Sequence, residues 1–180
     1  MNETLTRYEA GTRTASPTVV YVGIDPGAET GVAVWSPALG ALLHVGSGSF
    51  WAAVRLLDGR TDPSGAAGRS GCWPFAGVVV EDPRGLPIYA RNRGGSRGEA
   101  DRIARSVGRV DREVDLWQSW LGAGGYTVRL SAPQRRKKWD DETMKRLTGW
   151  TEATNEHGRD AARLVFGLSA SASATWGQPP

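Results

Sequence analysis

The run Val22–Gly31, VGIDPGAETG, constrains the fold more than any other part of the chain. An apolar β-type stretch delivers Asp25 at its end and breaks at once into a Pro-Gly turn. A carboxylate emerging from the end of a buried strand can hold a divalent metal over a phosphate. Asp before Pro-Gly is also ordinary turn chemistry, so the motif alone leaves both readings open. Two later carboxylates bear on the choice. Glu81 ends the strand-like run Gly77–Val80, and Asp160 lies in His157-Gly158-Arg159-Asp160-Ala161-Ala162, which opens an apolar helical pattern.

The spacing of apolar residues predicts β-strands over Thr18–Ile24, Gly31–Trp35 and Ala41–Val45, an antiparallel meander. A short helix follows over Phe50–Leu57 with Ser49 as its cap, then a Gly/Ser/Arg-rich loop over Asp58–Gly71. Phe75–Glu81 reads as a buried central strand whose carboxyl end carries charge. Beyond an exposed basic loop at Asp82–Gly98, Ile103, Val107, Val110, Val114, Trp117 and Leu121 keep helical spacing across Glu99–Leu121. Gly108 inside that helix costs about 1 kcal/mol relative to alanine, which points to close packing against a helix or a substrate there. A strand at Tyr126–Leu130, a short helix at Asp140–Thr148 and a final helix at His157–Leu168 complete a mixed sheet covered by helices. Residues 1–17 read as a flexible lead-in, 18–168 as a single domain and 169–180 as a flexible tail.

At 180 residues the chain suits one compact domain, and its single cysteine, Cys72, excludes an intrachain disulfide, favouring a reducing, cytoplasmic setting. No apolar stretch approaches the roughly 20 residues that cross a membrane, and the first residues lack a secretion-type segment. The formal charge of +3 is unevenly spread: eight arginines fall between Arg84 and Arg112, and Arg129, Arg135, Arg136, Lys137 and Lys138 form a second cluster. Such clusters suit a polyanion, and arginine's planar donor fork suits phosphate. A solvated surface also accommodates them. Most of the tryptophans, Trp35 and Trp117 among them, read as core residues rather than base-stacking platforms.

If the first and fourth strands are neighbours and the last helix crosses their ends, Asp25, Glu81 and Asp160 meet, with His157 on the same helical face as Asp160. Converging carboxylates repel one another unless cations neutralise them. Magnesium suits their hard oxygens, and manganese accepts His157 more readily. In such a pair of metals Asp25 bridges, Glu81 holds one ion, and Asp160 with His157 holds the other. The plainer readings are that Glu81 accepts turn hydrogen bonds, that Asp160 serves exposed helix N–H groups, and that His157 sits at the surface.

The segments GIDPGAETG (Gly23–Gly31), VVVEDP (Val78–Pro83) and HGRDAARL (His157–Leu164) together resemble the RuvC-type Holliday junction resolvases, a branch of the ribonuclease-H-like nucleases. The resemblance implies an α/β fold with a mixed β-sheet flanked by helices, and a crossover junction endodeoxyribonuclease. By position it puts catalysis and a pair of Mg2+ ions, or Mn2+, on Asp25, Glu81, His157 and Asp160. It further implies paired phosphodiester cleavage of four-way DNA by a homodimer that pairs through the Glu99–Leu121 helix. In that family a loop after the Glu strand approaches the junction centre. Here that loop offers Arg84, Tyr89, Arg91, Arg93 and Arg97 as DNA contacts, and Arg135, Arg136, Lys137 and Lys138 are further phosphate contacts. Compact resolvases of this kind occur in bacteriophages, which implies a phage origin and a bacterial host cytoplasm.

The Gly/Arg stretch at Arg91–Arg97 departs from the family's loop, so flaps or other branched DNA remain alternative substrates. A junction-binding protein that does not cut is a second alternative. A sugar-kinase-like or actin-like phosphotransferase also uses a strand, an Asp and a glycine turn, but the chain has no room for the second lobe that encloses a nucleotide.

Overall fold

Strands β1 (Val20–Asp25) and β2 (Thr30–Ser36) are dominated by β-branched and small apolar residues, and every position in both is buried. Strands buried on both faces must be covered on both faces, and the rest of the chain supplies those layers. The structure, a computed structural model, describes residues 19–62, 73–85, 97–133 and 137–176; within these, the side chains of 59–62, 73–75, 97–103 and 175 are not described. The expected lead-in at 1–17, Cys72 and most of the two expected loops lie outside the described residues.

After β2 the chain forms β3 (Ala41–Gly48), α1 (Phe50–Arg60), the two-residue β4 (Thr61–Asp62) and β5 (Trp73–Glu81). A 3-10 turn at Pro83–Gly85 precedes the long α2 (Arg97–Ala123), which leads to β6 (Val128–Ser131), α3 (Asp141–Thr148), α4 (Glu156–Val165) and a last 3-10 turn at Ala172–Thr175. Ser49 caps α1, its hydroxyl accepting from the Ala52 N–H at 3.3 Å. The sheet order is β3-β2-β1-β5-β4, with β6 also paired to β5. β1 and β2 run antiparallel, as do β2 and β3, whereas β5 lies parallel to β1 and β6 parallel to β5. This is the expected α/β class, a mixed sheet between helical layers.

The two-residue period of a strand sorts the side chains into two cores. Val20, Val22, Ile24, Val78 and Val80 pack with Ala53, Val54 and Leu57 of α1 and Trp117 and Leu121 of α2. The alternate positions Tyr21 and Val79 pack with Met144 of α3 and Ala161, Ala162, Leu164 and Val165 of α4. Trp35 and Trp117 are core residues, as expected. α4 lies directly on the strands because glycines let it. A Cβ at Gly23 would sit 2.1 Å from the Ala161 carbonyl oxygen, and one at Gly31 2.0 Å from that of His157. Neither approach is possible for any other residue.

One expectation is corrected. Residues 169–180 have the composition of a flexible tail, but 169–176 dock on the sheet. The Tyr21 hydroxyl accepts from the Ser173 N–H at 3.0 Å, and the Trp176 ring lies 5.4 Å from that of Tyr21. The ring rests where Gly77 has no side chain, since a Cβ there would fall 2.3 Å from it. Gly108 is exposed, with no described atom of this chain within 4 Å of where its Cβ would be. No packing within the described chain requires glycine there.

Candidate active site

Strand alternation decides which acids can meet. On β1, Tyr21, Gly23 and Asp25 face α4; on β5, Gly77, Val79 and Glu81 do the same. The parallel register pairs Ile24 with Val80, so Asp25 and Glu81 are the next residues on adjacent strands and end them at the same level. Above them α4 begins with Asn155 as its cap, whose side-chain oxygen accepts from the Gly158 N–H at 3.1 Å. One turn in, His157 and Asp160 project toward the strand ends.

The structure brings together the four residues singled out in the sequence. His157 Nδ1 lies 3.0 Å from Asp25 Oδ2, and the imidazole sits over Gly27, with Cε1 3.8 Å from where a Cβ there would be. Asp25 and Glu81 are in hydrogen-bond contact, which lowers Asp25 and raises Glu81. Burial pushes the Glu81 carboxyl up to about 8, helped by that hydrogen bond and by the charges of Asp25 and Asp160, against Lys138. Burial also raises Asp25, while its contacts with Glu81 and His157 oppose the rise. Two carboxyls so placed need a proton or a cation between them.

Asp160 is buried and balanced by basic groups. Arg163 NH1 donates to Oδ1 at 3.0 Å, and Lys138 Nζ lies 2.6 Å from Oδ2. Among the described residues no three His, Cys, Asp or Glu side chains close around one point as a finished metal cage. Asp160 faces its two cations, while Asp25, Glu81 and His157 cluster beside it. Hard carboxylate oxygens with one imidazole suit a divalent ion such as magnesium or manganese.

The expected DNA contacts fare differently. Arg84 donates from Nε to Asp82 at 2.8 Å and from NH2 to Gln118 at 2.9 Å, and its NH1 pairs with Asp115, so all three nitrogens are spent bracing the turn against α2. Lys138 is turned into the acidic cluster, whereas Lys137 is exposed. Tyr89, Arg91, Arg93, Arg135 and Arg136 lie outside the described residues, as does the side chain of Arg97, which opens α2.

Reading the sequence missed three supports of the site. Arg163 is one; its i, i+3 spacing from Asp160 was a legible signal. A second is a polar clamp between the Asp25 turn and α4: Glu29 Oε1 accepts from Ser47 at 2.6 Å and from Asn155 Nδ2 at 3.0 Å. The third is Glu113 of α2, whose Oε1 accepts from the Thr30 hydroxyl at 3.3 Å. Nothing local in the sequence marks the last two, since their partners are remote.

No protein-family model and no curated protein matches the chain. Among solved structures it is similar to T. thermophilus RuvC in complex with Holliday junction substrate, at 16% identity and a TM-score of 0.49, over 82% of this chain and 90% of that one. No helix among the described residues is long and apolar enough to cross a membrane.

Proposed function

We propose that the chain is a divalent-cation-dependent endodeoxyribonuclease that resolves four-way DNA junctions by paired phosphodiester cleavage, acting as a homodimer in a bacterial cytoplasm. The observation that carries the reading is the in-register pairing of β1 and β5, which sets Asp25 and Glu81 side by side beneath His157 and Asp160. Junction preference rests on the three motifs that resemble the resolvases, and the cation dependence on the donor chemistry of the site.

In this reading Asp25 and Glu81 would hold divalent ions from the strand side, and His157 and Asp160 from α4. When bound, the ions activate a water for attack and offset charge on the leaving oxygen. The chain's own residues do the rest. Glu81, whose carboxyl is pushed up to about 8, would release a proton to solvent in order to serve as a carboxylate ligand. His157 Nδ1, against Asp25, keeps the imidazole oriented. Lys138, exposed over most of its side chain, would have to leave Asp160 for that carboxylate to take an ion, whereas the Arg163 side chain beside it is buried. Lys137, with Arg135 and Arg136, lies in the segment suited to tracking phosphates without reading bases.

The test compares cleavage of four-way junctions, flaps, nicked duplex and linear duplex with Mg2+, using wild type and Asp25→Asn. Paired nicks in opposing strands of the junction, absent in a variant that still binds it, support the reading. Preference for flaps would reassign the substrate to other branched DNA. Tight junction binding without any cutting would make the protein an architectural binder.

A further inference from the structure

Glu113 stands in an expensive place. It lies midway along α2, its carboxyl is pushed up by burial, and the charge of Asp25 raises it further. Its Oε2 is buried with no hydrogen-bond partner. Burying a carboxylate oxygen unpaired costs folding free energy, so the position makes sense only through what the other contacts hold. Those contacts are specific. Oε1 accepts from the hydroxyl of Thr30, a fully buried residue, and the Gly27 N–H favours the charged form.

Gly27 lies in the turn that joins β1 to β2, and Thr30 is the first residue of β2 beyond it. Asp25 pairs across that turn with Gly31, the residue after Thr30. A group gripping Gly27 and Thr30 therefore sets where the Asp25 carboxylate points. On the opposite side, the Glu29, Ser47 and Asn155 clamp ties the same turn to α4. The turn is thus held from both helical layers, and Glu113 is the hold from α2.

We propose that Glu113 is a positioning residue that, through its hydrogen bond to Thr30, fixes the Asp25 turn in the geometry that binds the divalent cation. This rests on the nuclease reading above for its consequence in catalysis, though not for its effect on cation binding. The hold is a hydrogen bond accepted from the Thr30 hydroxyl, so an amide of the same length, whose oxygen can accept it in the same place, replaces the carboxylate.

The experiment uses the full chain as wild type, Glu113→Ala, Glu113→Gln, Thr30→Val and the Glu113→Ala/Thr30→Val double variant. Unfolding temperature, Mn2+ affinity by calorimetry without DNA, and kcat and KM on a junction are measured where all are folded. Glu113→Ala and Thr30→Val are each expected to weaken Mn2+ binding about three- to tenfold, the loss of one buried hydrogen bond. kcat falls in step, KM for the junction stays within about twofold, and Glu113→Gln restores both. The double variant is no worse than the larger single, because both remove one interaction.

Unchanged Mn2+ affinity in folded Glu113→Ala, or additive effects in the double variant, would overturn the proposal. If wild type binds Mn2+ but cuts no DNA, the nuclease reading fails while the Mn2+ measurements still decide the role of Glu113. A wild type that binds no Mn2+ overturns both.

Discussion

Replacing Glu81 with Gln should stabilise the cation-free protein, and increasingly so as the pH rises. Glu81 has its carboxyl pushed from 4.5 to about 8 on folding. Between those values the folded state holds a proton that the unfolded chain has released, so raising the pH through this window favours unfolding. At about 1.36 kcal/mol per unit the gross effect is ~5 kcal/mol. Solvent exposure and the proton shared with Asp25 reduce it to about 2–3 kcal/mol. Gln keeps an N–H donor for Asp25 and cannot ionise.

Equilibrium urea unfolding in chelator, from pH 5 to pH 9, reads the difference between the two proteins. It should be near zero at the acid end and grow to about 2–3 kcal/mol in favour of the variant above pH 8. Saturating Mg2+ should reverse the order at high pH, since the wild-type pair then holds a cation in place of its proton. Parallel stability curves for the two proteins across the whole range would refute the shared-proton description of the site.

Deleting residues 169–180 should destabilise the protein by ~2–4 kcal/mol, because it uncovers Gly77 and strips the Tyr21 hydroxyl of its Ser173 donor; an unchanged denaturation midpoint would restore the flexible-tail description. Gly108→Ala should raise stability by ~0.5–1 kcal/mol in the DNA-free monomer, and a decrease instead would show that something packs against that point of α2. Neutralising Arg135, Arg136 and Lys137 together should weaken binding to every junction sequence alike and flatten the salt dependence, by about 0.9 in log–log slope for each phosphate no longer neutralised. An unaltered slope in a filter-binding titration would remove this segment from the DNA interface.

The sheet and its acids were legible because their signals are local. The apolar runs ending in Asp25 and Glu81 announce strands, and strand alternation places both carboxylates on one face. The α4 pattern was equally readable, although its end at Val165 falls short of the expected Leu168, since the chain turns at Phe166 and Gly167 takes a left-handed φ of 80°. The remainder depended on remote partners. Lys138 reads as part of a solvated basic run, and only the fold swings it onto Asp160. Arg84 looks free until α2 brings Asp115 and Gln118 beside it. The tail is small and polar, and its anchoring needs a cavity over Gly77 that no local pattern reveals.

Diffraction from wild-type crystals soaked in Mn2+, with the metal located by its anomalous signal, tests the central claim most directly. The arrangement of the strand ends requires a peak between the carboxylates of Asp25 and Glu81, abolished in Asp25→Asn. Manganese bound elsewhere, or no peak there under conditions in which the same preparation cuts junctions, would contradict it.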